Sequence, residues 1–258
     1  VNAGVEYHNS MALLWWVSIR QPAATKFNSM KNRISFYIFL MVLALLSGCA
    51  TRTKMAFESD EERLTESSKP VFLMTATLKN TYRTSFQPKL IVAHVEKTGA
   101  KDAADRLNFT MDEKAKNESD SPEVGSTYFL RIQLEPGRYE IRGLTSMGRS
   151  FPIIGYFFTP LHAPLEASRP GVFYLGHVTA TVRERQGDEF KAGASIPLID
   201  QAIAGASGGT FDIEISDRLS TDEAIFRSKF PALKGVAIKK SILPPFDRAV
   251  AQKWWEAN

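Results

Sequence analysis

From Pro70 onward the chain is written in alternation. Tyr128, Leu130, Ile132 and Leu134 alternate with Phe129, Arg131, Gln133 and Glu135. After Pro136-Gly137, Tyr139 and Ile141 alternate with Arg138, Glu140 and Arg142. A period of two predicts strands with one face buried and one wet. Pro-Gly suits the two corners of a type II turn, so a hairpin is expected across it. Val71 to Leu78 and Leu90 to Val95 read as two earlier strands. Val172 to Arg185 reads as a later one, with Val172, Tyr174, Val178, Ala180 and Val182 on one face. Phe211 to Ile215 and Val236 to Ile242 complete the set. Ser220-Thr221-Asp222-Glu223 has the form of a capping box opening a helix that Pro231 stops near Phe230. Asp247 to Trp255 predicts a terminal helix with Val250 and Trp254 on one side. The stretch 188–210, ending in Ala204-Gly205-Ala206-Ser207-Gly208-Gly209, reads as a mobile loop. Its glycines have neither the spacing nor the lysine of a phosphate loop. With no repeating βαβ pattern and no internal repeat, the expected class is mainly β. The expected architecture over 70–258 is an antiparallel β-sandwich with one or two peripheral C-terminal helices.

Ahead of this domain the pattern changes twice. Met30 is followed by the basic Lys31 and Arg33, then by an unbroken apolar run from Phe36 to Leu46, then by Leu46-Ser47-Gly48-Cys49. Basic start, short apolar core and small residues, in that order, make an export signal. The run falls short of the roughly 20 apolar residues that span a bilayer. Leu46-Ser47-Gly48-Cys49 resembles the lipobox of bacterial lipoproteins. That resemblance implies cleavage between Gly48 and Cys49, with fatty acyl chains carried by Cys49. Each buried methylene contributes about 0.8 kcal/mol, and a single chain holds only marginally, so two or three chains make a lasting anchor. Within that family an aspartate after the cysteine favours inner-membrane retention; Ala50 here implies the outer membrane, with the domain facing the periplasm. Residues 1–29 read as an extension from a start assigned too early, and 30–48 as the signal peptide. Residues 49–69, centred on Glu58-Ser59-Asp60-Glu61-Glu62-Arg63, read as a flexible tether, with a short helix around Asp60 to Leu64.

Charge changes little in this picture. The chain holds 32 basic and 28 acidic residues. Four of the basic ones (Arg20, Lys26, Lys31, Arg33) and one acidic (Glu6) precede Cys49, so the remainder is almost neutral. No basic face for nucleic acid is expected. Cys49 is the only cysteine, so no intrachain disulfide forms.

Candidate chemistry is sparse. His94, His162 and His177 show no metal-ligand spacing, and no cofactor or metal is expected. Gly205-Ala206-Ser207-Gly208-Gly209 has no strand-turn-helix context for a nucleophile, and Asp222-Glu223 reads as helix-start charge. One uncharged stretch stands out, Phe151 to Leu161, with Phe151, Tyr156, Phe157 and Phe158 between prolines. It is either a buried strand or an apolar lip for a partner. Trp254-Trp255 poses the same choice. The Glu135-Pro136-Gly137-Arg138-Tyr139 turn followed by Gly171-Val172-Phe173-Tyr174-Leu175-Gly176 resembles immunoglobulin-like and transthyretin-like sandwich modules of envelope lipoproteins. The resemblance implies a sandwich and no active-site residues. The expectation is therefore a non-enzymatic, lipid-anchored structural or interaction protein with the membrane and an envelope protein as partners. The alternative is a carrier of a lipid or other apolar ligand, with Tyr156, Phe157 and Phe158 lining its cavity; a hydrolase with a dispersed site comes third.

Overall fold

The structure, a computed structural model, describes residues 51–64, 69–194 and 201–258. Cys49, Gly48 and the whole signal segment lie outside the described residues. Two sheets face one another. The first has the order β1 (Thr51–Thr53), β4 (Arg106–Thr110), β3 (Lys89–Lys97), β7 (Gly137–Ser150), β8 (Ile153–Ala167). The second has the order β10 (Gly209–Ser216), β9 (Val172–Glu184), β2 (Val71–Asn80), β6 (Ser126–Gln133), β5 (Lys116–Asn117). A short β11 (Ile238–Lys240) pairs with Val172–Tyr174, the part of β9 that β10 does not reach. Two helices follow β10, α1 (Leu219–Lys229) before β11 and α2 (Arg248–Ala257) after it.

The expected class holds: two sheets, few helices, and those near the C-terminus. The pairing is mixed, because β2 runs parallel to β9, β11 to β9 and β1 to β4. Phe72, Met74, Leu130 and Ile132 of the second sheet meet Ala93, Val95, Ile141, Leu144 and Phe157 of the first in one core. Each such fully buried large side chain contributes about 1.5–3 kcal/mol.

The Pro136-Gly137 turn does not close a hairpin. Both flanking strands exist, but β6 pairs with β2 and β5, whereas β7 pairs with β3 and β8. The turn instead carries the chain from one sheet to the other. Tyr128, Leu130, Ile132 and Leu134, and Tyr139 and Ile141, still face one core, from opposite sides. Alternation specifies the buried face of each strand and says nothing of the neighbour it pairs with.

Residues read as a flexible tether are partly built into the domain. Thr51–Thr53 pairs in parallel with β4, and Met55, Ala56 and Phe57 are buried. The Ala56 N–H donates to the Arg131 carbonyl at 2.9 Å. Met55 joins the core between the sheets, while Ala56 and Phe57 join the cluster beneath α1. These few apolar residues suffice to fasten a segment whose average composition is polar. Asp60 to Leu64 forms no helix; Glu62 accepts from the Phe57 and Ser59 N–H groups in a turn.

The described part of the 188–210 stretch is likewise packed. Ala204 and Ala206 are buried in the core and Gln201 accepts from the Tyr156 N–H at 2.8 Å. Gly155 makes that approach feasible, since a Cβ there would lie 2.2 Å from the Cβ of Ala204. β8 is an edge strand, which is why it tolerates Pro160 and Pro164. Residues beyond it blunt the edge, the Phe158 N–H donating to the Ala192 carbonyl at 2.7 Å.

The helices differ in detail from expectation. α1 begins at Leu219 with Arg218 as its cap and no side-chain capping bond, so Ser220 lies inside the first turn. Glu223 reaches forward to Arg227 at 2.6 Å instead of back. α2 is capped by Asp247, which accepts from the Ala249 and Val250 N–H groups. Val250 is exposed, and the packed side of α2 is Ala251, Trp254 and Trp255.

Candidate functional site

β8 alternates, and that separates the three aromatic residues expected to act together. Phe157 points into the core and is 1% exposed, whereas Tyr156 and Phe158 point outward. A strand cannot present consecutive side chains to one cavity, so a pocket lined by all three is excluded. Phe151, 91% exposed, stands at the tip between β7 and β8.

Phe158 lies in a cleft of about 370 Å³ on the outer face of the first sheet. Its walls are His94, Val95 and Glu96 of β3, Arg106 and Asn108 of β4, Arg142 and Thr145 of β7, and Trp254 of α2. The Trp254 ring is 5.3 Å from Phe158 and 5.1 Å from His162 between centroids, and His94 lies 6.1 Å from Phe158. The Arg142 guanidinium sits 5.7 Å over the Trp254 ring while pairing with Glu96 at 3.2 Å and Glu140 at 3.4 Å. Trp254, half-buried, faces the cleft; Trp255 packs against the core. Beneath lies a smaller apolar hollow of about 100 Å³ between Phe158, Phe190, Trp254 and Trp255.

His94 and His162, far apart in sequence, thus come to one face. Both ring nitrogens of His94 are engaged, Nδ1 with Asn108 at 2.7 Å and Nε2 with Thr145 at 2.8 Å. Burial lowers its pKa, the Arg142 charge adds to that, and the Asn108 hydrogen bond only partly opposes them. The imidazole is therefore neutral at pH 7 and occupied. His162 Nδ1 lies 2.8 Å from Glu140, whose carboxyl this contact holds below the usual carboxylate range. Such a cleft offers aromatic faces and ion-paired rims for contact, with no poised nucleophile.

His177 is elsewhere, on the outer face of the second sheet. β9 bulges at Gly176, where φ is +112°, and the register with β2 shifts at Leu73/Met74. The bulge flips the face that sequence alternation assigns. Val172 and Tyr174 lie under α1, while Val178, Ala180 and Val182 enter the core. His177 then meets Asp222 at 3.1 Å and Thr77 at 2.9 Å, and Tyr174 donates to Asp222 at 2.6 Å. Asp222 does lie in the first turn of α1, as a helix-start charge, and it is buried there. Burial works against its ionised form, but hydrogen bonds from His177 and Tyr174 prevail and hold its pKa below the ordinary value.

Thr77, His177 and Asp222 have the order of a hydroxyl, a base and an orienting carboxylate. A hydrolase also needs free N–H donors for an oxyanion. Thr77 sits on β2, which is paired on both sides, opposite Thr127 and Thr179. Its hydroxyl already lies 2.9 Å from that of Thr127. The network fastens α1 to the sheet. Sequence reasoning had no means of joining Asp222 to His177, which lie 45 residues apart.

Among the described residues no group of three His, Cys, Asp or Glu is arranged to hold a metal ion, and no helix is long and apolar enough to cross a membrane. Comparison with protein-family models, with curated proteins and with solved structures finds no match.

Proposed function

We propose that this chain is a bacterial lipoprotein: a non-enzymatic envelope domain held at the outer membrane by fatty acyl chains on Cys49 and facing the periplasm. It meets an envelope partner through the Phe158–Trp254 cleft. The carrying observation is the ordered tract from Lys31 and Arg33 through Phe36–Leu46 to Ser47-Gly48-Cys49. Ala50 supports the outer membrane. The cleft supports the interaction reading, because half-buried aromatic rings flanked by arginine are the groups that anchor protein contacts.

The carrier reading draws less support. Ligand pockets are usually about 300–1,000 Å³ and enclose most of the ligand; the Phe158–Trp254 cleft reaches about 370 Å³ but is open to solvent, and the more enclosed apolar hollow beside it measures about 100 Å³. Phe157, offered as a lining residue, is part of the core.

Metabolic labelling with an alkynyl fatty acid, followed by fractionation, tests the anchor. The wild-type protein is expected in the membrane pellet with label, and Cys49→Ser in the soluble fraction without it. An unlabelled wild-type protein overturns the proposal.

A further inference from the structure

The connection between the anchor and the folded domain is very short, and it leaves at one defined end of the sandwich. On the anchoring reading just given, we infer that this end of the domain rests directly on the phospholipid headgroups, and that the Phe151 tip points away from the bilayer.

One residue, Ala50, lies between Cys49 and Thr51, so their Cα atoms are at most about 7 Å apart. Thr51 is already in the first sheet, paired with Leu107, and that row continues through Val95 and Ile141 to Ala163. From Thr51 to Thr53 the strand heads toward the row of Phe109, Ala93 and Leu144. This is the direction of the β7–β8 tip, so Thr51 is the end of its strand farther from that tip. From Ile141 to Phe151 the chain advances ten steps, almost all along β7, roughly 33 Å. A bilayer reached through Cys49 therefore meets the end formed by the turns after β3, before β7 and after β8. The exposed Phe151 stands a domain's length from it.

That end is chemically suited to an anionic headgroup layer. Lys97, Lys101, Arg138 and Arg169 are exposed there and, among the described residues, make no ion pair. Lys69 pairs with Glu135 at the same end. Asp102 and Glu166 are exposed acids beside them, so attraction to phosphate is modest and the short connection sets the orientation. Juxtamembrane basic residues add to that attraction within a Debye length.

The test uses the acylated protein, purified from membranes and reconstituted into vesicles of phosphatidylethanolamine and phosphatidylglycerol bearing a headgroup-attached quencher. With Cys49 blocked by acylation, Lys97→Cys or Phe151→Cys supplies one labelling site for a fluorophore. Labels at position 97 are expected to be quenched several-fold more strongly than labels at 151. Equal quenching, or stronger quenching at 151, on protein that floats with the vesicles overturns the inference. Failure to float at all refutes the anchor instead. Inserting about twenty Gly/Ser residues between Ala50 and Thr51 restores a flexible link and is expected to erase the difference. A difference that survives the insertion overturns the role given to the short connection.

Discussion

Arg131 is the residue whose removal tests the packing most severely. It lies in the middle of β6 and is 0% exposed. Its Nε donates to the Ala56 carbonyl at 2.7 Å, Nη1 to the Phe129 carbonyl at 2.9 Å, and Nη2 to Asp112. The guanidinium carbon sits 4.0 Å from the centre of the Phe230 ring, beyond the end of α1. Burial lowers the guanidinium pKa and Asp112 works against that. One side chain thus joins the 51–57 segment, the link from β4 to β5, the second sheet and the α1 layer. Arg131→Met keeps much of the apolar stem but strands Asp112 and two carbonyls. Breaking a buried pair from one side costs about 3–5 kcal/mol. The Asp112 side chain is 18% exposed and regains some hydration, which places the expected loss near 3 kcal/mol. For a domain of this size that corresponds to a fall in Tm of roughly 6–12 °C. Urea unfolding of the Cys49→Ser protein is the assay, with an unchanged denaturant slope expected. Arg131→Met combined with Asp112→Leu should cost less than Arg131→Met alone, because no uncompensated carboxylate remains. A loss below about 1 kcal/mol for the single variant, or a double variant worse than the single one, refutes the reasoning.

Acid should destabilise the domain over a defined window. Arg183 holds Glu189 at about 2, and Asp222 and Glu140 are also held below their ordinary values of 3.8 and 4.5. Depressed folded values stabilise above the unfolded values and lose that contribution as pH falls through the folded ones. Burial also lowers the His94 pKa from 6.5, so the urea midpoint should begin to fall as pH drops below about 6.5 and fall further below about 4.5; a flat profile to pH 3 would contradict this. Gly155→Ala places a methyl 2.2 Å from Ala204 and should cost about 1–3 kcal/mol by overpacking, with faster proteolysis within 201–206 as the companion readout. Trp254→Ala removes a half-buried ring from the cleft and should cost about 1–2 kcal/mol, below the 3–5 of a fully buried aromatic, while abolishing crosslinking of a partner at Phe158. Wild-type crosslinking yield in that variant would move the contact elsewhere.

What could be read from the chain was the face each strand buries; what could not was the company it keeps. Tyr128 to Leu134 and Tyr139 to Ile141 were legible as strands because a two-residue period has one cause. Their pairing was not, since a Pro-Gly turn serves equally to fold a hairpin or to pass between sheets. Arg131 and Phe129 read as the wet face of β6, yet both are buried. α1 and the 54–57 segment cover them, and neither is near in sequence. A second face buried by distant elements leaves no local periodicity. The bulge at Gly176 reversed one half of β9 for a similar reason, because one extra residue flips every later side chain. At the cleft, Phe158 and Trp254 were each legible as aromatic residues wanting a neighbour. That they want each other depends on α2 lying across the first sheet.

Mass spectrometry of the first peptide of the protein isolated from its native membrane reaches the central claim most directly. The account predicts a chain beginning at Cys49, its sulfur carrying diacylglyceryl and nothing of Met30–Gly48 remaining. A peptide that runs through Gly48 into an unmodified Cys49 contradicts it.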